Sequence, residues 1–180
     1  MKKGYENSIK IPQGIKCSVL GKELQCTKGN TKLSKTLLNA EMEISLSDDT
    51  IFVKCPKSTR KIVANINSCI AHIKNMFHGL NERFVYEMEV SNVHFPMTVK
   101  LDKGSLIISN FLGEKVPRSA KILEDVEVKI EGSKIIVSSA DIEKAGQTAA
   151  NIEKAALVTK KDRRVFQDGI FITKKPGADI

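Results

Sequence analysis

Three histidines, four cysteines and two pairs of adjacent carboxylates are the side chains here whose types could support catalysis or metal binding. Cys69 and His72 stand three apart, close enough on a helix for an imidazole to activate a thiol. The simpler reading places Cys69 at the border of an apolar stripe and His72 on its polar side. His72 and His78, six apart, do not share a helix face, and His94 falls in a segment that reads as strand. Cys17, Cys26, Cys55 and Cys69 contain no C-x-x-C pair, so paired zinc ligands are not expected. They read as small buried hydrophobes. Asp48-Asp49 and Glu124-Asp125 sit in turns, where aspartate is favoured for backbone reasons. H-E-x-x-H, P-loop and G-x-S-x-G patterns are all absent. The expectation is a protein that is not an enzyme, with no metal and no cofactor.

The other chemistry on offer is electrostatic. The formal net charge is +8 and the pI about 9.3, which points to a polyanionic partner. The charge is uneven. Residues 1–82 hold 13 Lys or Arg against 7 acids, and residues 83–157 hold 10 against 11. Residues 158–175 hold 6 against 2, in the stretch KKDRRVFQDGIFITKK from Lys160 to Lys175. There Val165, Phe166, Ile170, Phe171 and Ile172 interrupt the basic residues, as if a buried strand carried cations at both ends. Aromatics make up only 5% and Trp is absent. That disfavours an alternative RNA-binding module built on stacking surfaces. A small enzyme using Cys69 and His72 is the remaining alternative.

The elements that must hold this stretch repeat. CSVLGKELQCTKG (Cys17 to Gly29) and TVKLDKGSLIISN (Thr98 to Asn110) both read as strand, turn, strand. EISLSDDTIFV (Glu43 to Val53) resembles EVKIEGSKIIV (Glu127 to Val137). Matched positions lie roughly 81 to 84 residues apart, from Leu20 and Leu101 at one limit to Ile44 and Val128 at the other. Each copy ends in a helix. In the first, Ser58 or Thr59 caps it, Ile62, Ile66, Ile70, Ile73 and Phe77 form one stripe, and Gly79 suits the stop. In the second, Asp141 caps a stripe of Ile142, Ala145, Ala149, Ile152 and Ala156, and Gly146 with the alanines lets the helix approach its sheet closely. Asp102-Lys103-Gly104 and Glu131-Gly132-Ser133 mark hairpin turns. The expected fold is α+β: two tandem duplicated domains, 1–82 and 83–180, each an antiparallel sheet with one helix packed on one face. The boundary falls near Gly79 to Arg83. MKKGYENSIKIPQG has no apolar core of a signal peptide, and no apolar run nears roughly 18 residues. A cytoplasmic protein with no membrane partner is expected.

Five motifs then occur in order: HIKNMFHGL (His72 to Leu80), VHFPMTVK (Val93 to Lys100), NFLGEKVPRSAKI (Asn110 to Ile122), GQTAANIE (Gly146 to Glu153) and DRRVFQDGIFI (Asp162 to Ile172). The chain resembles the universal large-subunit ribosomal protein L-six family, called L-nine in eukaryotes, over nearly its whole length. The wording is closest to the archaeal branch. The resemblance implies a duplicated α/β fold and a structural role in translation. It implies binding of large-subunit rRNA near the sarcin-ricin loop and the translation-factor GTPase site, with neighbouring large-subunit ribosomal proteins as partners and no small-molecule substrate. It puts most RNA contacts in the second domain and its C-terminal segment. Carried over by motif, the contacts are Lys160, Lys161, Arg163, Arg164, Lys174 and Lys175, with Lys115 and Arg118 second. One departure is the first-domain loop. The family's K-G-P-[KR]-G turn is missing its proline in VLGKEL (Val19 to Leu24) and in CTKGNTKL (Cys26 to Leu33). The first-half lysines are read as a solvated face.

Overall fold

The computed structural model describes residues 4–21, 23–36, 43–47, 49–56 and 59–179. Asp48, Ser58 and Lys22 lie outside them. The chain separates into two compact units, Met1–Glu82 and Arg83–Ile180.

The first unit contains β1 (Tyr5–Lys10), β2 (Lys16–Leu20), β3 (Glu23–Lys28), β4 (Thr31–Thr36), β5 (Glu43–Ser47), β6 (Thr50–Cys55) and the helix α1 (Arg60–Asn81). Its strands form two antiparallel sheets, in the orders β1-β6-β5 and β2-β3-β4. The division follows from one local and one distant connection. Short turns fold β2, β3 and β4 into a meander, whereas β1 reaches its partner β6 only from far along the chain. Alternation along β3 and β6 buries Leu24 and Cys26, and Ile51, Val53 and Cys55. Against them α1 lays Ile66, Cys69, Ile70, Ile73 and Phe77. The Thr59 hydroxyl accepts from the Ile62 N–H at 3.3 Å, so this residue is the cap. The helix does not stop at Gly79, which is buried within it. It runs on to Asn81, and the extended Glu82 donates its N–H to the His78 carbonyl.

The second unit repeats the order: β7 (Phe84–Ser91), β8 (Thr98–Asp102), β9 (Ser105–Ser109), β10 (Arg118–Lys121), β11 (Glu127–Glu131), β12 (Lys134–Ser139) and α2 (Ile142–Ala155). β8, β9 and β10 form one sheet. β11, β12 and β7 begin the other, and it continues with β13 (Gly169–Lys175) and β14 (Ala178–Asp179), which have no counterpart among the described residues of the first unit. Lys103 and Gly104, at φ 38° and 80°, make the paired left-handed turn that a two-residue hairpin needs. Asp141 caps α2, its carboxylate accepting from the Glu143 N–H at 2.9 Å. Ala149 and Ile152 share one core with Met88, Ile135, Val137 and Ile170, and Ala145 is buried on the same face. The helix does sit close to its sheet: a Cβ placed on Gly146 would lie 2.9 Å from the Tyr86 hydroxyl oxygen.

Candidate nucleic-acid interface

Between α2 and β13 the chain makes one loop, and both its ends are anchored by burial. Val158 enters the core beside the end of α2. At the other end Asp168 is only 2% exposed. One of its oxygens, Oδ1, accepts from the Val93 and His94 backbone N–H groups at 2.8 and 2.9 Å. The other, Oδ2, lies 2.6 Å from His94 Nδ1. Burial pushes this carboxyl up, but the hydrogen bonds from the His94 backbone and ring and from the Val93 N–H outweigh it and hold it at about 2. Asp168 is therefore an anion that pins the loop to the bend between β7 and β8. His94 lies in that bend rather than on a strand.

The loop is built by its own polar groups. Asp162 accepts from the Arg164 N–H through Oδ1 at 2.9 Å, and its carbonyl accepts from Val165 and Phe166 at 3.2 and 2.9 Å. This tight turn leaves Lys160, Lys161, Arg163 and Arg164 exposed. Phe166 is half-buried, stacked on the His94 ring at 4.8 Å, and Lys161 Nζ lies 4.4 Å from its centre. The loop also bounds a cavity of about 530 Å³, lined among others by Arg163, Phe166, Gln167 and Phe171. Of the apolar residues expected to pin the segment, Ile170 is buried, and Phe166 and Ile172 pack on the core. Val165 and Phe171 are exposed instead, at 58% and 39%.

Arg118 is committed to the protein. Its Nε and Nη2 donate to the two Glu114 oxygens at 2.8 and 2.6 Å. Nη1 donates to the Ala155 and Leu157 carbonyls at 3.0 and 2.9 Å. The first belongs to the last residue of α2, where intrahelical partners run out, and the second lies just beyond the helix. The guanidinium also covers the Phe111 ring at 4.1 Å. Its hydrogen bond and charge, with the charge of Lys161, hold the Glu114 carboxyl below its ordinary range against a smaller opposing effect of burial. The turn beneath is strained: Asn110 and Leu112 adopt φ 60° and 49°, which costs a leucine of order 1–2 kcal/mol. Lys115 is exposed on the same connection.

On β13 the register slips at Thr173, whose hydroxyl donates to the Glu87 carbonyl at 3.2 Å. Without the slip, Lys174 would follow Ile170 and Ile172 onto the core face. With it, Lys174 pairs with Glu87 at 3.8 Å, and Lys174 and Lys175 are both exposed. The structure thus gathers Lys160, Lys161, Arg163 and Arg164 on one loop, sets Lys174 and Lys175 at the far end of the following strand, and uses Arg118 as a strut. Sequence reasoning missed His94 and Asp168. The signal was an acidic residue inside a basic run, directly before a buried strand.

A family profile described as ribosomal protein L6 matches residues 95–169. Proteins named large ribosomal subunit protein uL6 align with nearly the whole chain. The one from Haloarcula marismortui is 38% identical, covering 93% of this chain and 94% of its own length. The Methanococcus vannielii protein is 40% identical, covering 94% and 93%, and that of Sulfurisphaera tokodaii 42%, covering 95% and 92%. The chain belongs to the uL6 family. The stretch matching the uL6 profile begins one residue after His94 and ends one after Asp168, so it takes in the Arg118 strut and the whole basic loop. These uL6 relatives are named as ribosomal proteins, not as enzymes. In this uL6-family chain Cys69 is buried, and His72 Nε2 lies 3.5 Å from the Ser68 hydroxyl. Among the described residues no group of three or more His, Cys, Asp or Glu could hold a metal. No helix among them is long and apolar enough to cross a membrane.

Proposed function

We propose that this chain is a structural constituent of the large ribosomal subunit, and that it binds large-subunit rRNA mainly through the loop between α2 and β13. The observation that carries the reading is the Asp168 clamp, which fixes four exposed cations on an ordered backbone. Double-stranded RNA is bound largely by shape and by its phosphate and 2′-hydroxyl groups. Cations held in place lose less freedom on binding than those of a loose tail. Lys160, Lys161, Arg163 and Arg164 are the primary phosphate contacts, Lys174 and Lys175 extend the patch, and Lys115 adds to it. Arg118 acts by holding the loop's entry rather than by touching RNA. The family resemblance supports the finer reading: rRNA bound near the sarcin-ricin loop and the translation-factor GTPase site, other large-subunit proteins as neighbours, and a cytoplasmic location.

Sucrose-gradient sedimentation of a cell extract tests the assembly, and cross-linking with residue-level readout tests the contact. The chain should travel almost wholly with the large subunit, with cross-links between residues 160 and 175. Sedimentation near the top of the gradient would overturn the proposal.

A further inference from the structure

The first unit holds two thiols that nothing in an RNA-binding role requires. Cys17 on β2 and Cys26 on β3 are directly opposed cross-strand partners. Their sulfurs stand 2.7 Å apart, and both cysteines are free. Facing residues on antiparallel strands have Cα atoms about 4.5 or 5.5 Å apart, and both separations fall within the range a disulfide spans. Closing to a bond of about 2.05 Å needs a sulfur movement of roughly 0.65 Å. Access is unequal: Cys17 is half-buried, whereas Cys26 is fully buried behind it.

We propose that Cys17 and Cys26 are an oxidisable dithiol, which a hydroperoxide closes to a cross-strand disulfide within the first unit. Cys17 reacts first, because solvent reaches it. Its thiolate attacks the peroxide oxygen, the O–O bond breaks, and hydroxide leaves, giving a sulfenic acid. The Cys26 sulfur then attacks the Cys17 sulfur, the S–O bond breaks, and the Cys26 proton leaves with the departing hydroxide as water. Two thiols and one hydrogen peroxide become one disulfide and two waters, with two electrons passing from sulfur to oxygen. A small dithiol reverses the step by exchange. The electrostatics agree with this order. The hydrogen bond between the two sulfurs lowers the Cys17 thiol from its ordinary value, against a smaller effect of burial, and raises that of Cys26, to which burial adds.

The sequence makes the test direct, since trypsin cleaves after Lys16, Lys22 and Lys28 and so puts each thiol in its own peptide. The reduced full-length chain is treated with hydrogen peroxide at high dilution, alkylated and digested without reductant. Free thiols should fall from the four present to two. CSVLGK should appear joined to ELQCTK, in monomeric protein, and dithiothreitol should separate them. In Cys26→Ser a dimedone-type probe should label Cys17. The wild-type chain carries the decisive readout, so a variant that fails to fold does not blunt the test. Linkage of Cys17 to Cys55 or Cys69, linkage between molecules, or oxidation of Cys17 to a sulfinate without linkage would overturn the proposal.

Discussion

The two units run through the same strand order, then part company after the helix. In the first, α1 continues for 22 residues and buries Ile66, Cys69, Ile70 and Ile73. In the second, α2 ends after 14 residues, and the same face carries Ala145, Thr148, Ala149 and Ile152. The smaller side chains bring the helix down onto its sheet, and the early stop frees chain to return and pair β13 with β7. The equivalent edge, that of β1, has no second partner among the described residues. Charge follows the same split: the first 82 residues spread an excess of six cations, while residues 158–175 concentrate four. One scaffold occurs twice, and in the second copy a further strand, a clamp and a short loop hold four exposed cations in order.

The largest expected effect tests that contrast itself. Residues 83–180 alone should retain most of the affinity of the full chain for a large-subunit rRNA fragment. Residues 1–82 should bind about a hundredfold more weakly near physiological salt, a difference of about 2.7 kcal/mol. Diffuse attraction is screened there beyond roughly 8 Å, and unordered contacts fix no register. Filter-binding or fluorescence titration of both halves decides the matter. Equal affinities would assign the first unit's lysines to RNA.

Removing the clamp comes next. Asp168→Ala takes the acceptor from the Val93 and His94 N–H groups and should destabilise the second unit by about 1–3 kcal/mol in urea denaturation. The first unit's transition should not move. The clamp also has a pH signature. The folded carboxyl titrates at about 2, whereas an unfolded aspartate does so near roughly 3.9. A depressed carboxyl contributes stability fully above the unfolded value and loses it as pH falls toward the folded one. About 2 kcal/mol should therefore disappear between pH 4 and pH 2, and Asp168→Asn should flatten that part of the profile. A wild-type profile no steeper than that of Asp168→Asn would mean that the clamp is not an ion.

Replacing Arg163 and Arg164 by alanine touches neither fold nor clamp, since both side chains are exposed. Affinity should fall about tenfold, and the slope of log K against log salt should become shallower by about 1 to 2 units. An unchanged slope would show that these arginines do not meet phosphate.

The legible parts of the molecule were those with local causes. Caps at Thr59 and Asp141, the hairpin at Lys103 and Gly104, and the helix stripes all follow from neighbouring residues. The division into two sheets was not legible, because it depends on β1 and β7 joining strands far along the chain. The basic cluster stood out by composition, yet composition could not separate a cation tied into the protein from one left exposed. Arg118 turns inward because the carbonyls of Ala155 and Leu157, at and just past the end of α2, converge on it with Glu114. Asp168 looked like one more acid in a charged run until the β7–β8 bend brought its three donors. Val165 and Phe171 were read as anchors from their apolarity alone. The turn at Asp162 and the alternation of β13 face them outward.

The smallest effect concerns how tightly each helix sits. By burial pattern, Gly146 on α2 corresponds to Asn67 on α1, and both meet a tyrosine of the unit's first strand. In the first unit Tyr5 donates to Asn67 at 3.5 Å, an ordinary side-chain contact. In the second, an added Cβ would meet the Tyr86 oxygen at 2.9 Å and its Cζ at 3.4 Å. Exchanging glycine for alanine within a helix normally stabilises by about 1 kcal/mol. Gly146→Ala should show no such gain, because the clash offsets it. In a Tyr86→Phe background the offending oxygen is gone and the gain should reappear, giving a coupling of about 1 kcal/mol in the double-mutant cycle. Asn67→Ala should give a gain of about half that size whatever stands at Tyr5, since no close approach opposes it. A full gain from Gly146→Ala with Tyr86 intact would mean that the second helix sits no closer to its sheet than the first.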